Sequence, residues 1–170
     1  MLPKGWKAVE LEDLASFHSG GTPSKSTPTF WGGEFPWISA KDLKKHFISN
    51  SIEKLSDIGF KNAAVAPSGS SLVLVRGMTL LKRFPVGFAL RPVAFNQDIK
   101  ALLPKKNTDP LFLSFLLAAE SHKIRQMVST AGHGTGRLDT TNLKEYPVLL
   151  PPLPEQKKIA AILSTWDRAI

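Results

Sequence analysis

Three apolar runs between residues 71 and 103, "SLVLVRG", "PVGFAL" and "DIKALLP", are short, β-rich and bounded by Gly or Pro. Such runs predict strands, and three in succession predict an antiparallel or mixed sheet. Beyond them the period changes. Asp109-Pro110 supplies an N-cap residue and a first-turn proline, and Leu113, Leu116, Leu117, Ile124, Met127 and Val128 follow at helical spacing. This pattern predicts a long helix with one face on the sheet. A second helical pattern closes the chain from Pro154-Glu155, where proline and an acid suit a helix N-terminus. Ile159, Ile162, Trp166 and Ala169 recur in steps of three and four, with Leu163 and Ile170 seven apart, which is a coiled-coil-like seam. At about 1.5 Å per residue, 154–170 would project about 25 Å. So short a helix is marginal in water without a partner for its seam.

The N-terminal pattern is less regular. "WKAVELEDLASFHSGG" places Val9, Leu11, Leu14 and Ala15 ahead of a double glycine, which predicts a strand or loop entering a short helix that stops at Gly20-Gly21. "TPSKSTPTFWGGEFPWIS" predicts a loop, with Phe30, Trp31 and Trp37 pinning it to the core. "STAGHGTGRLDTTNLKEYPVLLPP" predicts a glycine-rich loop, a short helix near 141–146 and an extended run to Pro152. No internal repeat is visible.

With 170 residues and 42% hydrophobic content, the chain suits one core, one domain and an extension. It has no cysteine, which excludes disulfides, thiolate nucleophiles and cysteine-based zinc sites and fits a cytoplasmic setting. The longest apolar run, within "LFLSFLLAA", is too short to span a bilayer, and the N-terminus lacks a secretory signal pattern, so a soluble protein without a membrane partner is expected. The formal net charge is +8. Residues 60 to 137 hold eleven basic side chains and three acidic ones, so one segment carries the whole excess. A concentrated positive field is what a polyanion-binding surface needs.

The chain offers little catalytic chemistry. "GGTPSKST" lacks the Gly-Lys-Ser/Thr ending of a phosphate loop, and "GHGTG" lacks the spacing and preceding strand of a dinucleotide fingerprint. There is no HExxH, no G-x-S-x-G and no closely spaced carboxylate cluster suited to a two-metal nuclease. His18 and His46 read as local polar residues. The balance points to a binder.

Several segments then combine into a resemblance. The opening "LPKGWKAVELEDLASFHSGGTPSKSTPTFWGGEFPWISAKDL", "RG" at 76–77, "FNQDIKAL" at 95–102 and the closing "GTGRLDTTNLKEYPVLLPPLPEQKKIAAIL" occur in the order seen in a target-recognition domain from the DNA specificity subunit of Type I restriction-modification enzymes. Phe30 stands where that family often has Tyr. The resemblance covers essentially the whole chain. It implies an α+β fold, with a mixed, largely antiparallel twisted sheet and flanking helices, over residues 1–152. It also implies that 153–170 is the truncated beginning of a spacer helix belonging to an antiparallel coiled coil. The implied role is non-catalytic: reading one half of a split double-stranded DNA target. The implied partners are modification (methyltransferase) subunits, the restriction subunit through the complex, and a second recognition domain or second copy through the spacer helix. S-adenosylmethionine, ATP and magnesium are expected on partner subunits and none on this chain.

In such a reader, Lys and Arg contacts to phosphate set register, while amide, hydroxyl and guanidinium groups on base edges discriminate. The base-reading candidates are Thr22 and Ser24 in the first loop, Arg76, Asn96 and Gln97, and His133, Thr135 and Arg137 in the glycine loop. Gly132, Gly134 and Gly136 would let the backbone approach DNA closely. Asn96-Gln97 has a competing role as a structural turn held by side-chain hydrogen bonds, and Arg76 carries the same reservation. The phosphate candidates are Lys25, Lys41, Lys82, Arg83 and Lys123; the spacer-packing candidates are Ile159, Ile162, Leu163, Trp166 and Ile170. Two other functions remain open: a single-strand or RNA binder stacking bases on Phe30, Trp31 and Trp37, and a protein-interaction module built on "PPLP" and the C-terminal helix.

Overall fold

The computed structural model describes residues 1–130 and 132–169, apart from the side chains of 168 and 169. In chain order the strands are β1 Lys7–Glu10, β2 Ala15–Ser19, β3 Trp31–Ile38, β4 Phe47–Ile48, β5 Lys54–Leu55, β6 Val65–Ala66, β7 Ser71–Leu74, β8 Arg76–Gly77, β9 Val86–Ala89, β10 Val93–Phe95, β11 Ile99–Pro104, β12 Ser129–Thr130, β13 Gly136–Arg137 and β14 Pro147–Leu150. The helices are α1 Leu11–Leu14, α2 Asp57–Lys61, α3 Pro110–Ala119, α4 Ser121–Arg125, α5 Thr140–Lys144 and α6 Leu153–Ala169. A five-stranded sheet ordered β2-β11-β7-β9-β4 forms the centre and a four-stranded sheet ordered β5-β3-β10-β6 lies beside it. A three-stranded ribbon ordered β12-β13-β8 and the β1-β14 pair complete the strands. Among the described strands only β3-β10 and β4-β9 run parallel. The fold is α+β and its sheets are mixed and largely antiparallel, as expected.

The central sheet is buried because its strands read apolar on both faces. Every residue of β7 is buried, and Ile99, Ala101 and Leu102 of β11 are fully so. Helix α3 covers this sheet with Leu113 and Leu117, which join the same core cluster. Its start follows the sequence reading: the Asp109 carboxylate accepts from the Phe112 N–H at 2.9 Å, with Pro110 at the first position. The helical pattern running to Val128 breaks at Glu120 into α3 and the short α4. There the Tyr146 hydroxyl donates to the Glu120 carboxylate at 2.5 Å.

Two N-terminal expectations change. The first helix ends after one turn at Leu14, and Ala15–Ser19 becomes an edge strand paired residue for residue with β11. The apolar spacing at 11, 14 and 15 fits a helix equally well; the backbone pairing offered by β11 decides. The presumed loop contains the longest strand, β3. Its pattern is masked in the sequence by Gly32, Gly33 and Pro36, and the strand accommodates them through a register shift between Trp31 and Phe35 opposite Leu55. The aromatics do pin this segment. Trp37 is 5% exposed and meets Trp31 edge-on at 5.1 Å, while their indole N–H groups donate to the carbonyls of Gly21 and Ser24.

The two larger sheets meet where β2 and β10 end. Gly20 crosses the 95–96 backbone so closely that a Cβ there would lie 2.2 Å from the Asn96 carbonyl oxygen and 2.4 Å from that of Phe95. Only glycine fits. The Gly21 N–H donates to the Phe95 carbonyl at 2.9 Å and the Asn96 N–H to that of Ile38 at 2.9 Å. The Asn96 side chain, 8% exposed, accepts from the Asp98 N–H at 3.1 Å, an Asx turn that leads into β11.

The C-terminal helix is rooted in the domain. Gln156 is 1% exposed; its amide donates to the carbonyls of Asn107 (3.0 Å) and Pro151 (2.9 Å), and its oxygen accepts from the Asp109 N–H at 2.8 Å. Trp6 donates its indole N–H to the adjacent Glu155 at 3.1 Å. Ala160 and Ser164 continue the buried stripe at four-residue steps. No described helix is long and apolar enough to cross a membrane.

Three outcomes follow from this packing. Gln156→Ala leaves three backbone groups, one buried and two part-buried, without partners and is expected to lower unfolding free energy by about 2–3 kcal/mol in urea titration. Asn96→Ala is expected to lose about 1–2 kcal/mol with its turn, whereas Gln97→Ala, at an exposed position, stays within about 0.5 kcal/mol. His46 is stacked on Phe115 at 4.6 Å and bonded to the Ser114 hydroxyl at 3.0 Å, and burial lowers its pKa below the ordinary 6.5 against a smaller opposing pull from Asp167. Below 6.5 the unfolded chain therefore takes up this proton more readily than the folded one, so the contribution is present above that pH and is lost as pH falls. His46→Gln should flatten the acid limb of the stability curve relative to the parent chain.

Candidate nucleic-acid interface

The Gly20–Asn96 crossing aims three segments at one place. Past Gly20-Gly21, the Thr22 hydroxyl donates to the Gln97 side-chain oxygen at 2.6 Å. Past the Asx turn, the Asp98 carbonyl accepts from the Val75 N–H at 2.8 Å, and the Val75 carbonyl accepts from the Leu138 N–H at 2.9 Å. That backbone relay fixes the ribbon to the sheets and brings Arg76 and Arg137 directly opposite each other in the β8-β13 register. The result is a cleft of about 240 Å³ whose lining includes Arg76, Gln97, Lys100, Arg137, Asp139 and Thr140.

The charge in this cleft is unbalanced. Three cations line it with one carboxylate, and Asp139 already accepts the Asn142 N–H at 3.1 Å as the cap of α5. Like charges directly opposed across a strand pair weaken it. An anion, or the acceptor edge of a base, would relieve that repulsion. A guanidinium can contact O6 and N7 of guanine in bidentate fashion, and an amide can do the same with N6 and N7 of adenine. Arg76, Arg137 and Gln97 supply those groups at exposed positions.

Of the base-reading candidates, the structure thus brings together Thr22, Gln97, Arg76 and Arg137. Asn96 is corrected: it is buried and its side chain is committed to the turn, so it presents no edge to a ligand. Ser24 is exposed and bonded to the Ser26 hydroxyl, outside the cleft lining. His133 is exposed at the turn between β12 and β13, with a left-handed φ of 68°, and Thr135 is half-buried beside it; neither lines the cleft. Gly136 has a packing role instead of the expected DNA approach, because a Cβ there would meet the Leu80 side chain at 2.9 Å and the Gly77 carbonyl at 3.0 Å. Sequence reasoning missed Lys100. The signal was the period-two pattern: Ile99 and Ala101 are buried, so Lys100 faces the other way, where its ammonium donates to the Ser19 hydroxyl at 2.5 Å.

The phosphate candidates scatter. Lys25 is half exposed; its ammonium sits 3.7 Å from the Trp31 ring centroid and pairs with Glu53, which closes the first loop onto β3. Lys41 shares a shallow pocket with Lys44 and Lys45. Lys82 and Arg83 line a separate basic pocket with His122 and Arg125. Lys123 lies apart from them, exposed on the rim of an apolar groove at 3.9 Å from the Glu120 carboxylate.

That groove, about 650 Å³, runs between α3, the β1-β14 pair and α6, with Ile159 and Leu163 on its helical wall. Ile162 and Trp166 face outward at 59% and 69% exposure; Ile170 lies outside the described residues. Each alternative function loses one of the groups it was built on. Trp37 is too buried to stack on a base, and Pro151 of "PPLP" is buried with its carbonyl bound to Gln156.

Known proteins share this fold. The chain is 27% identical over 165 residues to the Type I restriction enzyme EcoR124I/EcoR124II specificity subunit of Escherichia coli, covering 95% of this chain and 40% of that protein. It is 28% identical over 177 residues to the MjaIX specificity subunit of Methanocaldococcus jannaschii, covering 99% and 39%. The HsdS subunit from Thermoanaerobacter tengcongensis superposes with a TM-score of 0.67 at 19% identity, covering 99% of this chain and 39% of that one. A chain from a solved structure on complex assembly and conformational transition of the type I R-M system superposes with a TM-score of 0.76 at 21% identity, covering 99% and 40%. The chain spans about two fifths of the length of these relatives. The family model described as Type I restriction modification DNA specificity domain matches residues 3–170. The chain therefore belongs to the family of Type I restriction-modification DNA specificity domains.

Proposed function

We propose that this chain reads one half of a bipartite duplex DNA target as part of a specificity subunit. The observation that carries the reading is the cleft in which Arg76 and Arg137 oppose each other beside Gln97 and Lys100. These side chains discriminate bases, and Thr22 holds the Gln97 amide in place. The chain performs no chemistry itself. It positions DNA for modification subunits that methylate adenine and for a restriction subunit that cleaves. A methyltransferase must take its target base out of the duplex, which makes correct placement the contribution required here. S-adenosylmethionine, ATP and magnesium belong to those partners, and the complex works in the cytoplasm.

On this reading residues 1–152 are the recognition domain and α6 is the start of a spacer. The exposed Ile162, Leu163 and Trp166 are the surface through which a second recognition domain, or a second copy of the chain, packs. Two linked half-sites raise affinity by effective concentration, so the chain alone binds more weakly than the assembled subunit.

Selection from randomised duplex DNA across a salt series, with the chain as given and with α6 extended as a full spacer, tests the reading. A short half-site should be enriched. Arg76→Ala and Arg137→Ala should each relax preference at one position by about 1–3 kcal/mol with little change at the others. Salt-dependent binding without enrichment, even with the extended helix, would refute sequence recognition.

A further inference from the structure

The basic pocket that holds Lys82 and Arg83 shares the α3-α4 junction with the groove of α6 but has a separate lining. It is about 330 Å³ in volume and lies between the 82–86 turn and the α3-α4 junction. Lys82, Arg83, His122 and Arg125 line it, with Ser121 at the junction and Phe84 buried beneath. Its lining contains no carboxylate, and among the described residues none of the four basic side chains is in an ion pair. Two of them are braced. One Arg83 guanidinium N–H donates to the Leu43 carbonyl at 2.9 Å, and the Arg125 Nε–H donates to the Lys82 carbonyl at 3.3 Å. A guanidinium has five N–H donors, so each keeps several for a ligand while losing less freedom on binding than an untethered one.

The walls of the pocket continue into the ribbon. β8 passes directly into the 78–81 turn and then Lys82, and α4 leads through 126–128 into β12. Short stretches of chain therefore connect both walls to the outer strands of the same ribbon that carries Arg76 and Arg137. Opposed walls of tethered guanidinium and free ammonium suit a tetrahedral oxyanion better than a base edge, because they offer donors from two sides and no acceptor partner.

We propose that the pocket formed by Lys82, Arg83, His122 and Arg125 holds a backbone phosphate of the duplex whose bases meet the Arg76–Arg137 cleft. The assignment rests on the DNA-recognition reading above and deepens it, giving the domain a second, sequence-blind point of attachment that fixes its register on the helix.

The test uses the duplex enriched with the parent chain and a triple variant, Lys82→Ala, His122→Gln and Arg125→Gln. Arg83 is kept because it braces Leu43. The variant should weaken binding to all duplexes alike, reduce the salt slope by about 0.9 for each phosphate that is no longer neutralised, and enrich the same half-site. Single uncharged methylphosphonates placed along the duplex provide a measurement on the unaltered protein. One or two neighbouring positions should cost the parent chain about tenfold or more, the size expected for a charged hydrogen bond, and cost the variant nothing further. A changed half-site would mean that the pocket reads bases, and an unchanged slope and scan would mean that it does not touch DNA; either overturns the proposal. Inorganic phosphate that binds the parent but not the variant, without competing with duplex, would mark a free-anion site and overturn it as well. Loss of half-site preference in Arg76→Ala and Arg137→Ala is read separately, so failure of this pocket and failure of the recognition reading are distinguishable.

Discussion

The crossing of Gly20 over the 95–96 backbone is the contact on which the rest of the molecule hangs. A side chain at residue 20 has no room, since its Cβ would sit at 2.2 Å from a carbonyl oxygen. This close approach joins the end of β2 in the central sheet to the end of β10 in the neighbouring sheet. From the same point the Asx turn at Asn96 starts β11, and the Asp98–Val75–Leu138 backbone relay carries the constraint on to the ribbon. Without that relay β8 and β13 would be a two-residue pairing at the surface, too short to hold its register. The candidate base-reading groups are thus set by backbone hydrogen bonds that reach the core, and only the side-chain tips are left to adapt. This is the arrangement a recognition surface needs, because a specificity difference of a few kcal/mol disappears when the donors can wander.

Much of the molecule was legible because its signals are local. The Asp109-Pro110 helix start and the strands at 71–74, 86–89 and 99–104 each show in residues adjacent in sequence. What escaped depends on partners far along the chain. β2 is a strand because β11, more than eighty residues away, offers it a full register. β3 survives two glycines and a proline because β5 and β10 flank it. Lys25 has the look of a free cation until folding places Glu53 and Trp31 around it, and Asn96 and Gln97 are neighbours whose burial differs completely. Charge singled out residues 60–137 as the basic stretch, but side-chain direction decided which charges share a pocket. Lys123 and Arg125, two residues apart, face an apolar groove and a basic pocket respectively.

The C-terminal helix obeys a different logic. Its inward stripe, Gln156, Ala160 and Ser164, is small or polar, and one buried amide fastens it with three hydrogen bonds. Of its large apolar residues, Ile159 and Leu163 wall the groove, while Ile162 and Trp166 point away from the domain. A helix designed only to cover its own core would reverse that distribution. Placing the specific polar contacts inward fixes direction at the root, and the apolar area of Ile162 and Trp166 is what the proposed association outside the domain would bury.

Rigid rooting matters for the proposed role in a way that affinity does not capture. Suppose that two recognition domains are held by paired helices. The number of base pairs between their half-sites is then set by helix length, and the rotational phase by the direction in which each helix leaves its domain. One base pair of spacing turns the duplex by about a tenth of a helical turn. A loose root would let one domain follow several spacings and phases, and would spread the effective concentration of the second half-site over all of them. The buried Gln156 restricts that spread at its source, because losing its bonds strands the Asn107 and Pro151 carbonyls and the Asp109 N–H, the cap region of α3 itself. The amide thus couples the direction of α6 to the helix that covers the central sheet, and through that sheet to the crossing at Gly20 that aims Arg76, Gln97 and Arg137.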